Sequence, residues 1–265
     1  TTTRNTVATR VNESGLIEEV ASNVPRLDYS DGGCPSLLLE PTATNLVTYS
    51  EDFSQWATNA TITPNSAISP DGTQNATLFS HSGGSFPQVG ISGITFVSGA
   101  NYIPSLYVKS DGTSQVQHSL LVNNVVVNFT PTDKWVRISD LIVSPDTSGS
   151  FIIAQNSASS VPASFYIYGA MLESGSFPTS YIPNYGTSAG ITRSADTANG
   201  AGNASTFNDS EGVLMAEISA LSDDGTDRRI TLSDGSNNNR IVIGFRPTSQ
   251  QVIGWMIVNG VNTPL

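Results

Sequence analysis

The sequence predicts an all-β protein: an antiparallel β-sandwich, preceded by an extended arm and followed by a second, incomplete β-sandwich. Three observations carry that expectation. Short β-branched and aromatic runs recur along the chain, Tyr102–Lys109 and Arg240–Phe245 among them. Clusters of Gly, Pro, Asn and Asp separate these runs at roughly the 8–12-residue spacing of sandwich strands. Helical periodicity is almost absent, and the best stretch for it, Gly15–Ala21, is short, Gly-led and better suited to a strand.

Residues 1–44 read as an extended arm or anchor. Thr6–Val11 and Leu16–Val20 form a hairpin about Asn12-Glu13-Ser14-Gly15, and the apolar run Leu37-Leu38-Leu39 has no local partner of comparable size. Three consecutive leucines in a strand need cover on both faces, which calls for docking onto another chain or a particle.

Residues 45–183 carry the first sandwich. Its candidate strands are Ala60–Thr63, Ala76–Ser80, Ser85–Val89, Tyr102–Lys109, Val116–Leu121, Val125–Thr130, Trp135–Leu141, Phe151–Gln155 and Phe165–Leu172. Asn123-Asn124 makes a two-residue turn between the fifth and sixth.

Residues 184–211, rich in Gly, Ala, Ser, Thr and Asn, read as a linker. Residues 212–265 read as the start of a truncated sandwich, with strands at Val213–Ile218, Arg229–Leu232, Arg240–Phe245 and Gln250–Val258. Asp223-Asp224-Gly225, Ser233-Asp234-Gly235 and Pro247-Thr248-Ser249 separate those strands. The hairpin signal Asn259-Gly260 calls for a returning strand just where the sequence stops.

Charged residues make up 12% of the chain, about half the roughly 25% of ordinary globular proteins. Hydroxyls and amides must keep such a surface in water, as in extracellular sandwiches and fibres. A formal charge of −11 disfavours nucleic acid and anionic membrane surfaces as partners. The single cysteine, Cys34, excludes an intrachain disulfide and reads as a small half-buried apolar residue. No apolar run is long enough to span a membrane, and the first residues carry no apolar signal-peptide core.

Two boundary motifs resemble known proteins. Ser36-Leu37-Leu38-Leu39-Glu40-Pro41, then Tyr49-Ser50-Glu51-Asp52-Phe53-Ser54-Gln55-Trp56, resembles a segment of bacteriophage tail and head-fibre proteins. Gly169–Pro183, continued by Ile191-Thr192-Arg193-Ser194-Ala195-Asp196, resembles the phage signature that closes a carbohydrate-binding jelly roll. Residues 212–265 resemble the opening strands of a concanavalin A-like (laminin G-like) sandwich. The resemblance implies a virion-surface structural protein: a tail or head fibre, or a capsid decoration. It implies a homotrimer among other virion proteins that contacts host cell-surface polysaccharide. The alternative is the non-catalytic binding portion of a secreted polysaccharide-active bacterial enzyme. Relatives of this kind often hold a structural calcium through an acid in the last strand, where this chain has Tyr168-Gly169-Ala170.

No nucleophile–base motif occurs, so no catalysis and no cofactor are expected. Asp31, Asp71, Asp111, Asp224 and Asp234 are each followed by Gly, which is turn chemistry before it is acid–base chemistry. The metal candidate is the loop carboxylate set Asp223, Asp224 and Asp227, as a structural calcium site. For a sugar, Phe86, Gln88, Tyr102, Tyr107 and Gln117 supply rings for pyranose faces and amides for hydroxyls on adjacent strands. The competing reading packs Tyr102 and Tyr107 in the core. His81 and His118 read as surface or groove side chains, and Trp56 and Trp135 as caps on the core.

Overall fold

A computed structural model of the chain describes residues 1–113, 116–155, 161–203, 205–208, 211–223, 225–246 and 251–264. Two compact units are present, Thr1–Asn199 and Gly200–Leu265. Every regular element among the described residues is a strand except one 3-10 turn, Phe53–Gln55.

The first unit is built on two antiparallel sheets. The five-stranded sheet runs, in spatial order, Val125–Phe129, His118–Val122, Ser148–Ala154, Gln88–Thr95 and Ala57–Thr58. The other runs Val136–Ser139, Asn101–Ser110, Ala163–Ser174, Ala76–His81 and Thr61–Ala67, with Ile142–Val143 also on Asn101–Ser110. The two inner faces close on one core that includes Phe79, Leu106, Val108, Leu120, Val122, Phe151, Ile153, Phe165 and Ile167, each at most 1% exposed. Trp56 joins that core edge-on to Phe53 and Phe151, as a cap should. The Asn123-Asn124 turn forms with both residues at positive φ, 46° and 66°, the conformation of a type I′ hairpin. The strand expected at Ser85–Val89 begins later and runs Gln88–Thr95.

A bulge decides what faces where. Gly169, at φ 62°, is an extra residue on its strand, and the register slips between Ser105 and Tyr107 opposite it. Before it, Phe165 and Ile167 point into the core; after it, Ala170 and Leu172 do. Tyr168, by the alternation before the bulge, and Met171, by the shifted alternation after it, face outward with Tyr107. A Cβ on residue 169 would lie 3.2–3.3 Å from the rings of Tyr107 and Tyr181, so glycine also lets those rings close over the bulge.

That outer face is covered in cis. Ala43, Tyr181 and Ile182, with Ile17, Trp135 and Ile191 at the margin, pack on Tyr168 and Met171. The arm hairpin forms as Ala8–Val11 on Ile17–Val20. Thr2–Thr3 pairs with Thr197–Ala198, and Ala43–Asn45 with Ile191–Arg193. Ile191–Arg193 and Thr197–Ala198, expected to be linker, are therefore paired strand, and the boundary placed after residue 44 falls inside a strand. The arm docks on its own sandwich. Of the three leucines, Leu37 and Leu39 stay 48% and 43% exposed.

Arm and closing segment are locked by charge. Arg26 spans Glu40 at 2.7 Å and Asp196; Arg4 holds Asp196 at 2.9 Å; Arg193 lies 3.4 Å from Glu40. All five side chains are at most 3% exposed. Glu40 also accepts from the Ser180 backbone at 2.7 Å and hydroxyl at 2.6 Å. Hydrogen bonds from Arg26 and Arg4 hold the Asp196 carboxyl below its usual range even though burial pushes it up.

The second unit is one four-stranded antiparallel meander: Arg228–Ser233, Arg240–Phe245, Val252–Val258 and Val261–Pro264. The return strand called for by Asn259-Gly260 is thus present, through a turn with φ of 51° and 80°. The strand expected at Val213–Ile218 does not pair; Val213 and Met215 are 94% and 89% exposed. Among the described residues this unit contains no second sheet. Asp224, Pro247-Thr248-Ser249 and Gln250 lie outside the described residues.

Candidate functional site

One end of the sandwich gathers the sugar-compatible groups. There the strands ending at His81, Ser110 and Ala154 are each followed along the chain by a strand of the other sheet, starting at Gln88, His118 and Ala163. At that end lies a depression of about 470 Å³ lined by Thr61, Ser80, His81, Thr113, Pro162 and Ser164, among others. Gln88 and Ser119 both pair with Ala154, so Phe86 and Gln117, two residues earlier on each strand line, flank this same end.

The sequence-proposed set therefore divides. Phe86, 45% exposed, and the exposed Gln88 and Gln117 come together at this end. Tyr102 does not: it is 4% exposed in the core, and its hydroxyl accepts from the Val97 amide at 2.9 Å. Tyr107 lies half-buried on the covered outer face, with the Arg137 guanidinium 5.6 Å from its ring centre. Period-two alternation placed these tyrosines on a face but could not say which faces are covered. For these two rings the packing alternative describes the structure.

Asn59, which sequence reasoning passed over, fixes the aromatic. Its amide donates to the Phe86 carbonyl at 3.2 Å while its oxygen accepts from the Gln88 amide at 2.7 Å. Phe86 is held at φ 49°, a left-handed conformation that a phenylalanine keeps only when its surroundings impose it.

The charges at this end are subdued. Asp111 accepts from the Thr113 amide and hydroxyl, at 3.0 and 2.7 Å, through one oxygen and from Ser164 through the other. Against the upward push of burial, these bonds keep its carboxyl below the usual range. His118, expected near a surface or groove, is 1% exposed among Phe79, Phe129 and Phe165. Burial pushes it down to about 4, and burial also lowers His81. Both imidazoles are thus neutral at pH 7. The Nδ1 of His118 lies 2.9 Å from the Val116 carbonyl and donates to it; the Nδ1 of His81 accepts from Gly83 at 3.2 Å. Neither Nε2 has a partner among the described residues. The end offers hydroxyls, amides, one exposed ring and neutral imidazoles, with a single carboxylate whose oxygens are both engaged. Such groups can hydrogen-bond to hydroxyls and stack on a pyranose face, and Asp111 has no second carboxylate beside it among the described residues of this end.

Of the metal candidate, Asp224 lies outside the described residues and Asp227 pairs with Arg229; no cluster of three metal-binding side chains occurs among the described residues. Cys34, expected half-buried, is exposed. No helix among the described residues is long and apolar enough to cross a membrane.

No protein-family model matches the chain, and no curated protein matches it. Solved structures of similar topology include the CBM22-1–GH10 modules of Clostridium thermocellum endo-1,4-β-D-xylanase 10B complexed with xylohexaose, at TM-score 0.37 and 17% identity over 53% of this chain. TmCBM61 in complex with β-1,4-galactotriose matches at TM-score 0.38 and 12% identity, covering 49% of this chain and 99% of that one. The enzymatically active domain of bacteriophage CBA120 tailspike protein 4 matches at TM-score 0.37 and 13% identity over 48% of this chain. The match spans 30% of the xylanase chain and 21% of the tailspike chain.

Proposed function

We propose that this chain is a non-catalytic, glycan-binding protein of a bacteriophage particle surface. The observation that carries glycan binding is the open sandwich end, where Phe86, Gln88 and Gln117 are exposed at the end of one sheet and a hydroxyl-lined depression opens at the same end of the other. The particle assignment is supported by the boundary motifs Tyr49–Trp56 and Gly169–Pro183, which resemble those of phage fibre proteins. Binding of neutral hexaoses by the whole chain, measured by titration calorimetry, should weaken at least tenfold in the double variant Phe86→Ala/Gln117→Ala. Unchanged affinity in that variant removes the sandwich end from the binding surface. Mass spectrometry of purified particles tests the location; a gene neighbourhood of polysaccharide-degrading enzymes would favour a secreted-enzyme origin instead.

We also propose a homotrimer. Leu27 and Leu37 pair across two short strands at 42% and 48% exposure, and Leu39 beside them is equally bare. Symmetric neighbours would cover these side chains, each worth on the order of 1.5–3 kcal/mol when fully buried. Light scattering at micromolar concentration should give a trimer mass for the wild type and a monomer mass for Leu37→Asp. A monomeric wild type ends the proposal.

A further inference from the structure

We infer that Tyr49 and Tyr185 form a second glycan-binding face, remote from the sandwich end and selective for uncharged sugar chains; this rests on the glycan-binding reading above. Both rings stand in water, Tyr49 at 37% and Tyr185 at 69% exposure. Tyr49 is held at φ 53°, a left-handed backbone that an L-residue keeps only when its surroundings enforce it.

The surroundings do enforce it. The Ser50 amide donates to the Asn184 carbonyl at 2.8 Å, the Asn184 amide donates to the Ser50 hydroxyl at 2.7 Å, and the Ala170 amide donates to the Ser50 carbonyl at 2.8 Å. Ser50 and Asn184 are fully buried. The Asn184 side-chain oxygen then accepts from the Gly186 and Thr187 amides at 3.1 and 2.8 Å. Two loops, one bearing each tyrosine, are thereby bolted to each other and to the central strand beneath them.

The Tyr49 ring lies directly on Gly186, where a Cβ would come within 2.8 Å of Cε1. Gly186 sits at φ 126°, so residue 186 is glycine for conformation and for contact alike. A rigid, exposed tyrosine pair offers apolar ring area to the C–H faces of pyranoses at low entropic cost.

The floor beside the rings is acidic. Glu51 accepts from the hydroxyls of Tyr181 at 3.0 Å and Tyr168 at 3.2 Å, and its charge also acts on the Tyr185 hydroxyl. Asp71 lies 3.1 Å from the Tyr168 hydroxyl, and the charges that act on Tyr185 are those of Glu51, Glu19 and Asp71. Carboxylates accept hydrogen bonds from sugar hydroxyls and repel uronates, sulfates and phosphates. The ligand class is therefore a neutral glycan.

The test is titration of the whole chain with neutral hexaoses of glucose, xylose and galactose, and with hexagalacturonate, at low salt. Tyr49→Ala and Tyr185→Ala should each weaken neutral-hexaose binding at least fivefold, while Tyr185→Phe, which keeps the ring, should retain most of it. Circular dichroism of each variant should match the wild type. Hexagalacturonate should bind at least tenfold more weakly than the best neutral probe. If both alanine variants bind like the wild type while Phe86→Ala/Gln117→Ala does not bind, this face is refuted and the glycan reading stands. If the wild type binds none of the four probes, both fall. Equal affinity for hexagalacturonate refutes the selectivity.

Discussion

Replacing Arg26 with methionine is expected to destabilise the first unit by roughly 3–5 kcal/mol, the cost of leaving buried charges without their partner. Arg26 is fully buried and is the one guanidinium within 3 Å of both carboxylates, reaching Glu40 and Asp196 together. Its loss leaves Arg4 to hold Asp196, and leaves Glu40 with Ser180 and the longer contact to Arg193. Methionine fills similar volume, so the loss reports charge rather than a cavity. The triple variant Arg26→Met/Glu40→Met/Asp196→Leu should lose more still, because it leaves Arg4 and Arg193 buried with neither carboxylate. Urea unfolding followed by tryptophan fluorescence measures both. Limited proteolysis should cut Arg26→Met first within residues 1–44, since the cluster ties that arm to the closing segment. A stability within about 1 kcal/mol of wild type would mean the cluster contributes no more than surface ion pairs do.

The second large effect is a loss of stability in acid through His118. Its imidazole ordinarily titrates near 6.5 and in the folded chain only at about 4, because burial among phenylalanines penalises the cation. Between those values the unfolded chain takes up a proton that the folded chain refuses. Stability from this group is therefore complete above pH 6.5 and falls as pH drops toward 4, by about 3 kcal/mol at 1.36 kcal/mol per unit. His81 acts in the same direction; Glu51 and Glu173, whose carboxyls burial raises, act in the opposite one. Comparing wild type with His118→Phe isolates the single group, and phenylalanine suits a cage that already holds Phe79, Phe129 and Phe165. The difference in unfolding free energy between pH 7.5 and pH 4.5 should shrink by about 2–3 kcal/mol in the variant, by the same per-unit cost. Identical pH dependence in the two proteins would show that His118 is not the group responsible.

Local chemistry alone makes the fold class and most of the strands legible in the sequence. The Asn123-Asn124 and Asn259-Gly260 turns form because those residues tolerate positive φ, and a preference of that kind belongs to the residue itself. Asp-Gly turns follow the same logic: Gly32, Gly72, Gly112, Gly225 and Gly235 all adopt positive φ. Of the proposed sugar-binding set, Phe86, Gln88 and Gln117 share one end because Gln88 and Ser119 pair with the same residue, Ala154, and Phe86 and Gln117 come two residues before them.

What the tertiary structure alone decided depends on contacts between distant residues. Period two tells which side chains share a face; it does not tell which face is covered, so Tyr102 went to the core and Tyr107 under the arm. The phase change at Gly169 breaks the alternation itself and sends Met171 outward beside Tyr168. Nothing local marks Arg4, Arg26 and Arg193 for burial; they are buried because Glu40 and Asp196 arrive from 156 residues apart. Burying an arginine is favourable only when its partners arrive with it, and that condition is met by folding rather than by local sequence.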